Sequence, residues 1–326
     1  MTGALLTSCA DEQNHTEPVQ AAAQPDAANA VPLYLAALGV PEGMALDEWY
    51  SERGDKDGLT LWFLMGRFYA TWLGEQDDPS WDELADKVGV HPREFEGWVE
   101  NNDAFFNAVS EASRAERMDD SDVFIGEPNS ADLTARILAE ITTTLFSASL
   151  VHARKGDFMK ANARFLDALH VMRHSFQAQR TIGGARMTIW PMHFAATITT
   201  LPNDELPGVE AYLDDETIRR ALDVLKSLDP EYPFEYRRAL EFEVEFVIRI
   251  RSPGVVGRRQ YRSWTRDAIR AWTQPNALEL LQRLDDRTPS SVLDPSATLV
   301  RAHEHDARNR ELLRTAMEAL KVNDED

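Results

Sequence analysis

Residues 132–176 read DLTARILAEITTTLFSASLVHARKGDFMKANARFLDALHVMRHSF, and this stretch decides the fold. Leu133, Ile137, Ile141, Leu145 and Ala148 recur at the three- and four-residue spacing of one helix face. Gly156-Asp157 then interrupts the pattern. Glycine suits the left-handed residue that ends a helix, and aspartate suits the N-cap of the next. The stripe resumes with Phe158, Ala161, Phe165, Leu169, Met172 and Phe176. A helix opening at Asp132 and a second one after Gly156-Asp157 make an antiparallel hairpin, the unit of helical arrays.

The same period extends in both directions, with almost no two-residue alternation. Upstream, Leu33 to Leu38 predicts a short helix ended by Gly39 and Pro41. Leu59 to Leu73 predicts a strongly apolar one, and Ser80 to Gly89 a third. Pro92 opens a helix carrying Phe95, Trp98, Val99, Phe105, Phe106 and Val109. Downstream, Gly183-Gly184 precedes a helix over 185–200. Asp214 or Asp215 caps one through Leu228, and Pro233 opens another through Arg251. Further helices are expected at 262–271, 276–284 and 297–322. The fold class is all-α: antiparallel helical hairpins forming a bundle or short solenoid-like array.

Charge divides the chain. Its net charge of −21 is concentrated in residues 1–130, which hold 7 Lys/Arg against 26 Asp/Glu; the remainder holds 27 against 29. An acidic break with Gly126 and Pro128 lies between Met118 and Ser130. The expected organisation is a tether at 1–28, an acidic helical subdomain at 29–118 and a main helical-hairpin domain at 131–326. So negative a protein is repelled by nucleic acid, and none is expected as a partner. The longest uncharged stretch, Met187 to Asn203, contains Pro191 and falls short of the ~20 apolar residues of a spanning helix.

The single cysteine, Cys9, excludes an internal disulfide and a cysteine-based zinc site. Leu6-Thr7-Ser8-Cys9 fits a bacterial lipobox, and the Ala/Gln/Asp/Asn-rich run to Ala30 suits a flexible tether. The apolar run before Cys9 spans only Ala4 to Leu6 and lacks a preceding Lys or Arg. Two expectations stand. Cys9 is lipidated from an upstream start and the protein sits at the bacterial cell envelope, or Cys9 is an ordinary tail residue and the protein is cytoplasmic.

Scattered residues also resemble those of a group of helical proteins of planctomycete-type bacteria. They are Asn29 to Tyr34, Glu100-Asn101-Asn102 with Phe105, Val109 and Ala112, and Gly156-Asp157 with Ala161, Leu169, Arg173 and His174. Thr181-Ile182, Leu213 to Thr217, Leu222, Leu225 and Leu228 complete the pattern. The resemblance implies a helical repeat-like architecture and an envelope location. It carries no assigned activity and no catalytic residue.

Three constellations invite a functional reading. His170 and His174 stand four apart on one helix, where both imidazoles can face one metal, with His193 or His152 as a third ligand. The competing reading places them as neutral residues flanking the apolar stripe. His303-Glu304-His305-Asp306 points around a helix and suits a solvated face. Residues 84–98 have the spacing of a DNA-reading helix-turn-helix, yet Glu94, Glu96 and Glu100 beside Arg93 would repel phosphate.

The third constellation is the one basic block: Arg249, Arg251, Arg258, Arg259, Arg262, Arg266 and Arg270, with Tyr261, Trp264 and Trp272 interleaved. It either binds an external anion or pairs with the acidic first segment, and the available internal acid favours pairing. No nucleophile elbow, P-loop, dinucleotide fingerprint or other cofactor motif is present. The leading expectation is a helical interaction or scaffold protein with a protein or peptide partner. The alternative is an enzyme or metal-binding protein with a site around His170, His174 and His193. Nothing in the sequence sets an oligomeric state.

Overall fold

The computed structural model describes residues 29–44, 46–53, 59–116, 118, 128–178, 192–193, 195–196, 212–228, 237, 239–241, 244–245, 248, 254–286 and 299–322. Among them all regular structure is helical. The helices are α1 (Val31–Leu38), α2 (Leu46–Arg53), α3 (Leu59–Gly74), α4 (Ser80–Val88), α5 (Phe95–Asn101) and α6 (Asp103–Ser113). They continue as α7 (Pro128–Arg154), α8 (Phe158–Gln177), α9 (Asp215–Lys226), α10 (Val255–Trp272), α11 (Ala277–Asp285) and α12 (Leu299–Val322). None of the described helices is long and apolar enough to cross a membrane.

The predicted hairpin is the centre of the molecule. Gly156 adopts φ 75° and ends α7, while the Asp157 carboxylate accepts from Lys160 N at 3.1 Å to start α8. α7 begins one turn before Asp132, at Pro128, because the first helical residue needs no N–H and proline presets its φ. Phe158, expected on the core stripe, is instead 46% exposed at the mouth of the turn.

α7 is more than a striped helix: every residue from Ile141 to Ala153 is buried. α8 packs along one side, α3 along another, and α2 and α5 close the rest. The hydroxyls in that run find acceptors, whereas buried Thr134 nearer the helix start has none among the described residues. Thr142 and Thr144 donate to Leu138 and Glu140 carbonyls in their own helix at 2.8 Å. Ser147 donates across to Gly66 O at 2.6 Å, and Ser149 to Ala161 O at 2.9 Å. Gly66 permits the α3–α7 approach, since a Cβ there would stand 3.1 Å from Thr144 Cα.

The single helix expected from Pro92 is three pieces. A 3-10 turn, Pro92–Glu94, is capped by His91, whose Nδ1 accepts from Arg93 N at 3.1 Å while Glu94 accepts from His91 N. α5 stops at Asn101, where Asn101 and Asn102 side-chain amides donate to Gly97 and Trp98 carbonyls, each at 2.7 Å. Those amides satisfy carbonyls that a continuing helix would have used, so the chain turns at Asn102 and restarts as α6. The turn brings Trp98 against Trp62, Phe95, Phe105 and Phe106. One buried cluster then runs from Ala30 through Phe63, Phe106, Leu145 and Phe165 to Leu320. Most of the expected break at 118–130 lies outside the described residues.

Downstream, Asp214 and not Asp215 caps α9, accepting from Thr217 N at 2.7 Å. Of the helix expected over 185–200, only Met192, His193, Ala195 and Ala196 are described, and they are helical. α10 starts two turns earlier than expected and packs on α11, which packs on α12. Asp285 at the end of α11 caps α12, accepting from Leu299 N at 2.9 Å and Val300 N at 3.1 Å.

Candidate functional site

Among the described residues nothing joins the histidine pair as a further metal ligand. His174 is fully buried, with Tyr34 Oη 2.9 Å from Nδ1 and Ala115 O 3.0 Å from Nε2. A carbonyl only accepts, so Nε2 carries the proton and Nδ1 receives the Tyr34 hydroxyl; no lone pair is left for a cation. Burial, reinforced by Arg173, lowers its pKa to about 4, and burial lowers that of His170 likewise to about 4. His193 is exposed on its helix. Among the described residues no group of three metal-ligating side chains converges.

Beside this latch lies a second that sequence reasoning missed. Asp167, buried in α8, accepts from Ser110 Oγ at 3.0 Å, Ser113 Oγ at 3.3 Å and Arg164 Nη1 at 3.3 Å. Arg164 also donates to Phe106 O and Asn107 Oδ1, and its guanidinium lies 5.1 Å over the Phe106 ring. Desolvation pushes Asp167 up and Arg164 down; the pair fastens α6 to α8, with Arg164 Nε left unbonded. The available signal was an Arg and an Asp three apart inside an apolar helix.

The cluster at 303–306 is only partly a solvated face: Glu304 is exposed, His303 and His305 are half-buried and Asp306 is buried. α12 buries Leu299, Ala302, Asp306, Asn309, Ala316 and Leu320, a three–four spacing that turns Asp306 inward. Trp272 Nε1 donates to Asp306 Oδ2 at 3.0 Å, and His303 Nε2 donates to Trp272 O at 3.2 Å. Asn309 is fully buried with neither amide atom bonded.

Acid–base pairing between the two halves occurs at the hairpin turn. Arg154 reaches Glu96 at 2.8 Å and the Tyr69 hydroxyl at 3.2 Å, Lys155 reaches Glu100, and Lys160 reaches Asp103 at 3.0 Å. Within the arginine block, Arg262 instead forks Glu245 of its own half, at 2.7 and 2.9 Å. That bond holds Glu245 below the usual carboxylate range. Arg249 and Arg251 lie outside the described residues.

The block lines a groove of about 990 Å³ between α10 and the helical residues around 237–248. Val244, Val256 and Ile269 are its apolar lining, and Val256 is 71% exposed. Arg259, Arg262, Arg266, Glu241 and Glu245 are its charged lining, and the Arg262–Glu245 fork joins α10 to the facing helical residues. Glu241 is held by Arg237 at 3.1 Å, and Glu245 by Arg262. Arg259 and Arg266 form no ion pair among the described residues.

No family model matches the chain, and comparison with curated proteins and with solved structures finds no match.

Proposed function

We propose that this chain is a helical interaction protein that holds a protein partner in the groove between α10 and residues 237–248. The observation that carries the reading is exposed Val256 lining the groove together with two arginines, Arg259 and Arg266, that form no ion pair among the described residues. Exposed apolar surface beside charge is the usual character of an interaction surface. The rest of the molecule supplies a rigid support, because α7 is buried throughout Ile141 to Ala153 and α8 buries twelve of its twenty residues against it. A photocrosslinking residue placed at Val256 in the native cell tests it. A discrete adduct is expected, lost in Arg259→Glu/Arg266→Glu and missing when the crosslinker is placed at exposed Leu278 of α11. Equal, diffuse labelling from both positions refutes the groove as the site.

The lipobox-like Leu6-Thr7-Ser8-Cys9 supports placing this interaction at the bacterial cell envelope. Expressed from its native gene, the protein is then expected in the membrane fraction, and Cys9→Ser releases it. Native protein that fractionates as soluble with a free Cys9 thiol excludes the anchor.

A further inference from the structure

We infer that Arg114, Arg173 and Arg220, gathered around His170, form a binding site for a small, doubly charged oxyanion of the phosphate class. The site is separate from the groove beside α10 and does not rest on the interaction reading above.

Two helices that pack on α8 bring the residues together. Near one end of α8, Asn162 meets the start of α9, its Oδ1 accepting from Asp214 N at 3.3 Å. Further along, Asp167 and His174 are bonded to Ser110 and Ala115 of the α6 end of the chain. His170 lies between Asp167 and His174 on α8 and is half-buried. Arg173, one turn beyond His170, donates to Ala115 O at 3.4 Å, which holds its guanidinium at the close of α6. Arg114 stands at that same close, donating to Ser110 Oγ at 3.2 Å. Arg220 is supplied by the middle of α9.

The charges that act on the His170 ring are all positive: Arg173, then Arg220, then Arg114. The acids closest in sequence are spent elsewhere. Asp167 is engaged by Ser110, Ser113 and Arg164, and Glu216, one turn before Arg220, is taken by Arg219. Arg114, Arg173 and Arg220 form no ion pair among the described residues, and the buried His170 Nδ1 and Arg173 Nε make no hydrogen bond. Like charges held together without a counter-charge cost free energy that an anion recovers. A chain with 55 acids against 34 bases had acids enough to neutralise this cluster, and its described residues do not use them here. The overall charge of −21 does not repel an anion at this spot, because charges beyond about 8 Å are screened at physiological salt.

The donor set selects the ligand. Guanidinium groups from three helices offer forked N–H pairs from three directions, and a neutral imidazole adds one more donor. A carboxylate presents two oxygens and one charge. A phosphate group presents at least three oxygens and about 1.5–2 negative charges near neutral pH, which suits three cations.

The test is a calorimetric titration of the full chain with inorganic phosphate, and with acetate as the planar monoanion. Saturable phosphate binding is expected, with acetate about tenfold weaker or more. Arg114→Gln/Arg220→Gln changes two exposed side chains, so the melting temperature should hold while phosphate binding weakens about tenfold or more. Arg259→Gln/Arg266→Gln, in the groove, should leave phosphate binding unchanged. A second readout needs no variant: the His170 imidazole followed by NMR in the unaltered protein. Bound phosphate offsets the guanidiniums, so the His170 pKa should rise from about 4.

No saturable phosphate binding, or binding indifferent to Arg114 and Arg220, overturns the inference. An equal loss in the groove variant does so too, as does a His170 ring that ignores phosphate. Acetate as tight as phosphate removes the selection for a doubly charged anion and overturns it on that ground. Arginine-dependent pelleting with phosphatidic acid vesicles, without titration by inorganic phosphate, assigns the cluster to a lipid headgroup and overturns the small-ligand site.

Discussion

The α7–α8 hairpin and the α10–α12 arm are both three- and four-residue-spaced helices, yet they differ in how their buried polar side chains are bonded, although Thr134 Oγ1, His152 Nε2 and His170 Nδ1 of the hairpin also lack partners. In the hairpin, Thr142, Ser147, Ser149, Asp167 and His174 are buried and each is bonded, often to a carbonyl of another helix. In the arm, Asn309 is equally buried and bonded to nothing, while Arg259 and Arg266 face solvent along an apolar groove. A satisfied polar network locks a packing arrangement, and an orphaned amide weakens one. The comparison accords with the proposed division into support and recognition.

Truncating the hairpin should have the largest effect. Phe165 is fully buried against Phe146, with ring centroids 5.5 Å apart. Phe165→Ala is expected to cost about 3–5 kcal/mol, a large fraction of the 5–15 kcal/mol that holds a domain together. Lys160→Ala removes only a half-exposed pair with Asp103 and should cost under about 1 kcal/mol. Denaturant melts that rank the two alike would show that the hairpin is not the rigid half.

Acid comes next. His174 folds with its pKa lowered to about 4, so between about 6.5 and 4 the unfolded chain binds the extra proton. Stability is therefore complete above the unfolded value and is lost as pH falls through this window, by up to about 3 kcal/mol from His174. His170 acts in the same sense. Asp167 and Glu140, raised chiefly by burial, take up protons on folding and oppose part of the loss. Urea midpoints measured from pH 7 to 4 should fall, and His174→Gln should flatten the slope. A slope unchanged by that substitution would mean the ring is not held neutral between Tyr34 and Ala115.

The smallest effect carries the opposite sign. An unbonded buried amide costs about 1–3 kcal/mol, so Asn309→Leu should leave stability unchanged or raise it by about 1 kcal/mol. A clear loss would place a bonding partner on Asn309 and end the contrast between the regions.

How much was legible varied with the kind of signal. The Gly156-Asp157 turn, the Gly39 and Gly89 stops and the Asp214 cap are local chemistry, and each lies where its residue type demands. The break at Asn102 was missed because two asparagine amides outbid an otherwise helical pattern, an effect periodicity does not register. Asp306 was placed on the wrong face because its spacing was read against histidine neighbours and not against Leu299, Ala302 and Asn309. The arginine block was singled out with pairing to the acidic first segment favoured; that Arg262 forks Glu245 instead, and that Val244 lines the groove beside the block, depend on residues outside it.

The all-α class and its hairpin follow from the 3.6 period and the capping residues, because those act within a single turn of chain. Which side of each helix meets which neighbour was decided only in three dimensions. α7 is buried all round because α2, α3, α5 and α8 surround it, and His174 is neutral because Tyr34 and Ala115 reach it from other helices. Acid and base meet at Glu96, Glu100 and Asp103 with Arg154, Lys155 and Lys160. Net charge is a sum over the chain and contains no distances; pairing is a matter of a few ångströms, and only packing sets those.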